Sequence, residues 1–321
     1  MRAYVIQRLL LVIPTLLIVS LIVFFAIRLI PGDIITVMLS EEPSINWESQ
    51  NKEREILEAR LGLDVPAHVQ YVRWLKGIVL HGDLGVSLWR NRPINSDMAQ
   101  KIPISFELGL LGTVVALLIS FPIGIYSAIR QDTIGDYIGR SFAIGAIAIP
   151  NFWLGIMALT FPAIWWGWSP PIAYIPFIED PLGNLTQFAV PSIILGMAMS
   201  GVIMRMMRTM MLEVLRQDYI RTAWSKGLPE RVVIMRHAMK NALLPTVTLL
   251  GLTLPVLVGG TVVIEQIFNL PGMGRFLISS AENRDFTVVS AIVLIIAVFV
   301  VFTNLLIDLF YGVLDPRIRY T

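Results

Sequence analysis

Six stretches of this sequence are predominantly apolar for more than twenty residues: about 9–30, 104–128, 142–167, 188–211, 243–264 and 287–311. An α-helix rises about 1.5 Å per residue, so roughly 20 apolar residues cross a hydrocarbon core about 30 Å thick. The pattern predicts an all-α membrane protein with six transmembrane helices. Composition agrees: 55% of the 321 residues are hydrophobic, only 15% are charged, and the mean hydropathy is +0.71. A soluble domain carries about 25% charged residues, and one soluble core cannot hide this much apolar surface. The solvent it calls for is lipid.

Basic residues in short loops set the orientation. With the N-terminus inside, the inner side holds Arg2, Arg8, Arg130, Arg140, the run from Arg205 to Lys240, and Arg317 and Arg319, while the two short outer loops hold Arg275 and Arg284. Both termini are therefore expected in the cytoplasm, and the absence of cysteine and the short tails suit a prokaryotic cell, with the chain crossing the inner membrane several times. The first apolar stretch is too long for a secretory h-region of roughly 7–15 residues and lacks a small-x-small cleavage site. It reads as a retained helix. Trp165, Trp166 and Trp168 suit an aromatic belt closing the third span.

The expected organisation is a first span over 1–30, an extracytoplasmic amphipathic segment over 31–103, and a five-helix core over 104–321 that carries a cytoplasmic loop at 212–244. In the outer segment, Glu53 to Leu61 stops at Gly62. Val65, Val69, Val72, Leu75 or Lys76, and Val79 then recur at helical spacing up to His81-Gly82-Asp83. In the cytoplasmic loop, Leu212, Leu215, Tyr219 and Ala223 predict that the fourth helix continues beyond the membrane. Gly227 and Pro229 form a helix stop followed by a helix start, with Pro near N1 and Glu230 in the first turn. A second short helix presents Val232, Met235, Arg236 and Met239 on one face and runs through Asn241 into the fifth span at Pro245. Such a shape suits docking into a soluble partner.

Several chemistries are excluded. The chain has no cysteine, no P-loop, no nucleophile elbow and no His-Glu-x-x-His. No catalytic residue and no metal site are expected, and a net charge of +2 gives no reason to expect nucleic acid. Seven methionines between Met197 and Met211 fall on every helix face, which suits packing rather than copper. Asp308 and Glu107 sit near span ends, and Gly135 and Gly139 read as loop residues beside Asp132 and Asp136. The span centres lack ionisable groups, whereas an ion-coupled carrier places one at membrane depth. A path through this protein is expected to be lined by neutral groups: Thr113, Ser120, Asn151, Ser192, Thr246, Thr253 and Asn304. Each can equally serve as a helix–helix hydrogen bond.

The run Asp218-Tyr219-Ile220-Arg221-Thr222-Ala223-Trp224-Ser225-Lys226-Gly227-Leu228, followed by Arg236-His237-Ala238-Met239-Lys240-Asn241-Ala242-Leu243-Leu244-Pro245, resembles the cytoplasmic signature loop of binding-protein-dependent ABC importers. Within them it resembles the dipeptide/oligopeptide/nickel permeases, and the first of their two permease subunits. Arg28-Leu29-Ile30-Pro31-Gly32-Asp33, Leu61-Gly62-Leu63-Asp64, Gly82-Asp83-Leu84-Gly85-Val86-Ser87-Leu88 and Leu314-Asp315-Pro316-Arg317-Ile318-Arg319-Tyr320 carry the likeness along nearly the whole chain. Where the general loop has Glu-Ala-Ala, this chain has Arg221, Thr222 and Ala223.

The resemblance implies the type I importer permease fold and transport by alternating access, without an ATPase site on this chain. It also implies an ATPase-coupling loop built on Arg221, Thr222, Ala223, Gly227, Leu228, Pro229, Glu230, Arg231, Arg236, His237 and Asn241. The implied partners are a second homologous permease, two ABC ATPase subunits that hold ATP and Mg, and an extracytoplasmic solute-binding protein. Membrane lipid surrounds the chain, which binds no cofactor of its own. The implied solutes are di- or oligopeptides, with oligosaccharide or a nickel chelate as alternatives. An ion-coupled secondary transporter is the reading from a different class.

Overall fold

The structure is a computed structural model that describes residues 2–29, 64–171 and 173–314, without the side chains of 2–4, 27, 255–260 and 310–314. Its elements are α1 (Arg2–Arg28), α2 (Ala67–His81), β1 (Val86–Ser87), β2 (Arg92–Pro93), α3 (Ile94–Ile129), α4 (Ile134–Ala148), α5 (Asn151–Trp166), α6 (Pro181–Leu215), α7 (Asp218–Ser225), α8 (Glu230–Val232), a π-helical turn (Val233–Ala238), α9 (Met239–Ile267), α10 (Met273–Glu282) and α11 (Phe286–Leu314). Among the described residues the regular structure is helical apart from one antiparallel ladder that pairs Val86 with Pro93 and Ser87 with Arg92.

Among the described residues, four helices are individually long and apolar enough to cross a membrane: Val5–Ala26, Ile94–Ile129, Pro181–Leu215 and Phe286–Leu309. They take up the first, second, fourth and sixth predicted spans, and residues 243–264 lie within the uninterrupted helix α9. The third predicted span is not one rod. Helices α4 and α5 meet at 94°, and only as a bent pair do they pass the same test. The break falls at Ile149-Pro150, both extended, with ψ of 122° and 135°. A proline excludes the helical region for the residue before it and contributes no N–H. Gly135, Asp136 and Gly139, expected in a loop, lie in α4. Trp165, Trp166 and Trp168 are exposed around the end of α5, where Gly167 at φ +63° caps the helix.

The chain forms two compact units. The first comprises Met1–Val5, Pro103–Arg275 and Phe302–Thr321. Within it, α3 and α6 run in the same direction. A Cβ on Gly196 would lie 2.6 Å from the Gly112 carbonyl oxygen, and one on Gly124 would lie 3.0 Å from that of Met204. Only hydrogen at these positions lets the backbones approach so closely, the usual means of tight helix association in lipid. Helix α9 returns antiparallel to α6, its Thr246 Oγ1 3.6 Å from the Met207 sulfur. Ile104, Leu108, Phe188, Leu195, Ile203 and Ile264 form the main core, and Met199, one of the clustered methionines, packs into it.

The second unit comprises Ile6–Ile102 and Phe276–Val301. Helix α2 ends at Gly82, φ +63°, where the sequence predicts. Its packed face differs from the valine stripe: Val72 and Val79 are exposed, and Tyr71 and Trp74 meet Phe24 of α1 at 5.3 and 5.5 Å between ring centroids. Aromatic rings bury more area than valine, and the Ser20 and Tyr71 hydroxyls share a 2.8 Å hydrogen bond, so this face wins. Arg28 lies 3.5 Å from the Phe24 ring centroid and donates to Gln70. The β1–β2 turn is tied down by Asp285, which accepts from the Ser87 hydroxyl at 2.6 Å. Glu53 to Leu61, Gly62 and the segment from Asp315 onward lie outside the described residues.

Candidate functional site

The 212–244 loop folds as a compact helical knob. Helix α6 stops at Leu215 rather than continuing, because Gln217 is extended at ψ 148° and the chain restarts as α7. Ile220 and Ala223 then turn inward while Tyr219 faces out. At the end of α7, the Gly227 N–H donates to the Trp224 carbonyl at 2.9 Å and Gly227 adopts φ +75°. A left-handed residue here is the common way to end a helix, and glycine adopts it without a Cβ penalty. Pro229 is the N-cap of α8, one position earlier than N1, with Glu230 first in the helix. Val232 and Val233 donate their N–H groups to the Pro229 carbonyl at 2.9 and 3.2 Å.

From Val233 to Ala238 the backbone is π-helical before α9 begins. A π-turn widens the helix and rotates every later side chain relative to a 3.6-residue repeat. The predicted apolar face is therefore not the buried one. Val233, Ile234 and Ala238 are buried, whereas Met235 is 51% exposed and Arg236 is exposed. Beneath the knob, these three side chains, Ile220 and Ala223 pack with Ala128, Met207, Met211 and Ala242 at the ends of α3, α6 and α9. Fully burying a side chain such as Ile220 contributes about 1.5–3 kcal/mol. The Asn241 amide donates to the Tyr219 hydroxyl at 2.7 Å, joining α7 to the start of α9. The knob is thus fastened to three long helices.

Its outer surface is mixed. Tyr219, Trp224 and Met235 are exposed, among exposed Arg221, Thr222, Lys226, Pro229, Glu230, Arg231, Arg236 and Asn241, with Leu228 and His237 half-buried. The Arg221–Asp218 ion pair, at 3.6 Å on the exposed face, adds little. Exposed aromatic and methionine side chains are enriched at protein–protein contacts.

The predicted path residues divide by their hydrogen bonds. Thr113, Thr246 and Thr253 return their hydroxyls to their own helices, to the carbonyls of Gly109, Ala242 and Leu250 at 2.7–2.9 Å. Ser120 Oγ, Ser192 Oγ and Asn151 Oδ1 are buried without a protein partner, and Asn304 is exposed.

Besides Asp285, two buried carboxylates among the described residues escaped the sequence reading. Asp136, fully buried, accepts from Arg208 Nε at 2.8 Å and Nη2 at 2.7 Å, from the Ser127 hydroxyl, and from the Asp132 N–H at 3.0 Å. Glu265, also fully buried, accepts from the Ser105 hydroxyl at 2.6 Å and the Arg275 N–H at 3.0 Å. Their partners lie 72 and 160 positions away for Arg208 and Ser105, beyond any local pattern.

Residues 120–320 match the family model described as binding-protein-dependent transport system inner membrane component, and residues 1–108 match the model of the N-terminal part of such membrane components. A putative peptide transport system permease protein of Brucella abortus is 37% identical over 320 residues, covering 100% of both chains. The dipeptide transport system permease protein DppB of Escherichia coli is 36% identical over 343 residues, covering 100% of this chain and 99% of DppB. The oligopeptide transport system permease protein AppB of Bacillus subtilis is 38% identical over 325 residues, covering 100% of both. Among solved structures, an inward-facing MetNI methionine ABC transporter matches with a TM-score of 0.52 at 16% identity, covering 68% of this chain and 96% of that one. An amino acid ABC transporter matches at 0.50 and 14%, covering 68% and 92%. These two show a shared fold, that of the type I ABC importer permeases. The chain belongs to the family of binding-protein-dependent transport system inner membrane components, the permease subunits of ABC importers.

Proposed function

We propose that this permease imports di- or oligopeptides, and that the knob from Asp218 to Asn241 is its ATPase-coupling loop. The observation that carries the second part is the knob's construction: a continuous core fastens it to α3, α6 and α9 while Trp224 and Met235 stay exposed. A push on that surface moves three long helices together. The peptide assignment is supported by the printed functions of relatives that match along their full length.

In this reading the chain crosses the inner membrane six times with both termini inside and encloses half of a path, a second homologous permease supplying the other half. Two ABC ATPase subunits bind ATP and Mg against the coupling loops, and a solute-binding protein delivers peptide to the outer face. The unbonded oxygens of Ser120, Ser192 and Asn151 are the path candidates, since the threonines already satisfy theirs. Proteoliposomes holding the whole complex, with the binding protein and radiolabelled dialanine outside and ATP inside, test the proposal. Uptake that needs ATP is the expected result. Uptake driven by a sodium or proton gradient without ATP overturns the coupling assignment, and no dialanine uptake beside ATP-driven oligosaccharide or nickel-chelate uptake overturns the peptide assignment.

A further inference from the structure

Glu265 stands in the last turn of α9, about 40 Å along the helix axis from the coupling loop at the other end. Its two carboxylate oxygens hold two separate parts of the chain. Oε1 accepts from the Ser105 hydroxyl near the start of the first unit's stretch of α3, and the same hydroxyl oxygen accepts the Met273 N–H at 2.8 Å. Oε2 accepts the Arg275 N–H at 3.0 Å, in the first turn of α10. Ser105 and Glu265 thus cap the N-terminus of α10 from outside, where an oxygen acceptor or a carboxylate is favoured. The fit is closed by glycine. A Cβ on Gly272 would lie 2.4 Å from a Glu265 oxygen, and one on Gly274 would lie 2.5 Å from the Val262 Cα.

The places held are where the chain crosses between the units. It enters the first between Ile102 and Pro103 and leaves it between Arg275 and Phe276. Glu265 therefore ties two of these crossing points to the end of one helix, and that helix begins in the core of the coupling knob. We infer that Glu265 is a positioning residue for transport: it locks the Ser105 turn of α3 and the first turn of α10 to α9, so that a displacement of the coupling loop reaches both as one movement. This rests on the reading of the knob as the ATPase-coupling loop. Without the tie, α10 shifts independently of α9, and ATP hydrolysis proceeds without moving α10 in step.

The absence of native cysteine makes the test direct. Spin labels on Gln266→Cys and Glu282→Cys, both exposed positions, report the α9–α10 distance in the whole complex, nucleotide-free and trapped with ATP and orthovanadate. The parent should give one narrow distance peak in each state. With Glu265→Gln, which keeps the size but replaces one acceptor oxygen by a donor, the peak should broaden at least twofold. Stimulation of ATP hydrolysis by the binding protein carrying dialanine should fall about tenfold, with basal hydrolysis within about twofold of the parent. Ser105→Ala should shift both readouts in the same direction by less. Parent-like peak width and stimulation in Glu265→Gln overturn the inference. So does failure of Glu265→Gln to assemble while Ser105→Ala matches the parent in both readouts. A parent complex that shows no stimulation refutes the coupling reading instead, and the peak width then decides the tie alone.

Discussion

Asp136→Ala tests the packing argument most severely, because it removes a group whose every contact is inside the protein. The carboxylate is fully buried and accepts four hydrogen bonds, two of them from Arg208, whose side chain is only 19% exposed. Alanine leaves the guanidinium with its charge and without this counter-ion. Breaking one side of a buried pair costs about 3–5 kcal/mol. Two charge-assisted hydrogen bonds at about 1.5–3 kcal/mol each give a similar range. At about 2–4 °C per kcal/mol, the melting temperature should fall by roughly 6–20 °C. Intrinsic tryptophan fluorescence of the detergent-purified protein during heating is a suitable assay. Removing both charges with Asp136→Leu and Arg208→Met should recover at least half the loss, since an apolar pair of similar volume avoids the desolvation penalty. A single variant that melts with the parent, or a double variant less stable than the single, refutes the reasoning.

Three further outcomes follow from the same geometry. Gly196→Ala should lower stability by about 1–3 kcal/mol in the same melt, because its Cβ would meet backbone 2.6 Å away and the α3–α6 crossing has to open. Gly227→Pro forbids the observed φ of +75° and removes the N–H that bonds Trp224, so the knob should lose its turn while the spans still insert. Membrane fractionation should find the variant in place with ATP-driven uptake reduced at least tenfold. Met235→Glu, at a 51% exposed position, should leave the melting temperature within about 1 °C of the parent and weaken co-purification of ATPase subunits.

Apolar length was the most legible property of the sequence, because a helix surrounded by lipid needs roughly 20 apolar residues and soluble loops do not supply them. Helix stops were legible where one residue type carries the conformation. Gly82 and Gly227 both take positive φ at the predicted ends. The break at Ile149-Pro150 was carried by an equally local rule, yet the apolar run passes through it and masks the bend. Side-chain phase was less legible. A π-turn at Val233–Ala238 rotates the face that a 3.6-residue repeat assigns to Met235, and no residue in that turn announces it. On α2, tertiary contact with Phe24 selected Tyr71 and Trp74 over the valine stripe. The roles of Asp136 and Glu265 were hidden because their partners come from distant parts of the chain. For the path, composition identified neutral polar residues, but only the hydrogen bonds separate the satisfied threonines from Ser120, Ser192 and Asn151.

The central claim, that the exposed face of the knob seats against an ATPase, is tested most directly by site-specific cross-linking in native membranes. The chain has no cysteine of its own, so Met235→Cys carrying a benzophenone maleimide samples one spot only. Illumination followed by mass spectrometry should yield an adduct with a P-loop ATPase subunit, whereas the same probe at Glu282→Cys should yield none. Adducts at Met235→Cys with lipid or with proteins lacking a P-loop, in membranes where the ATPase subunits are present, would contradict the account.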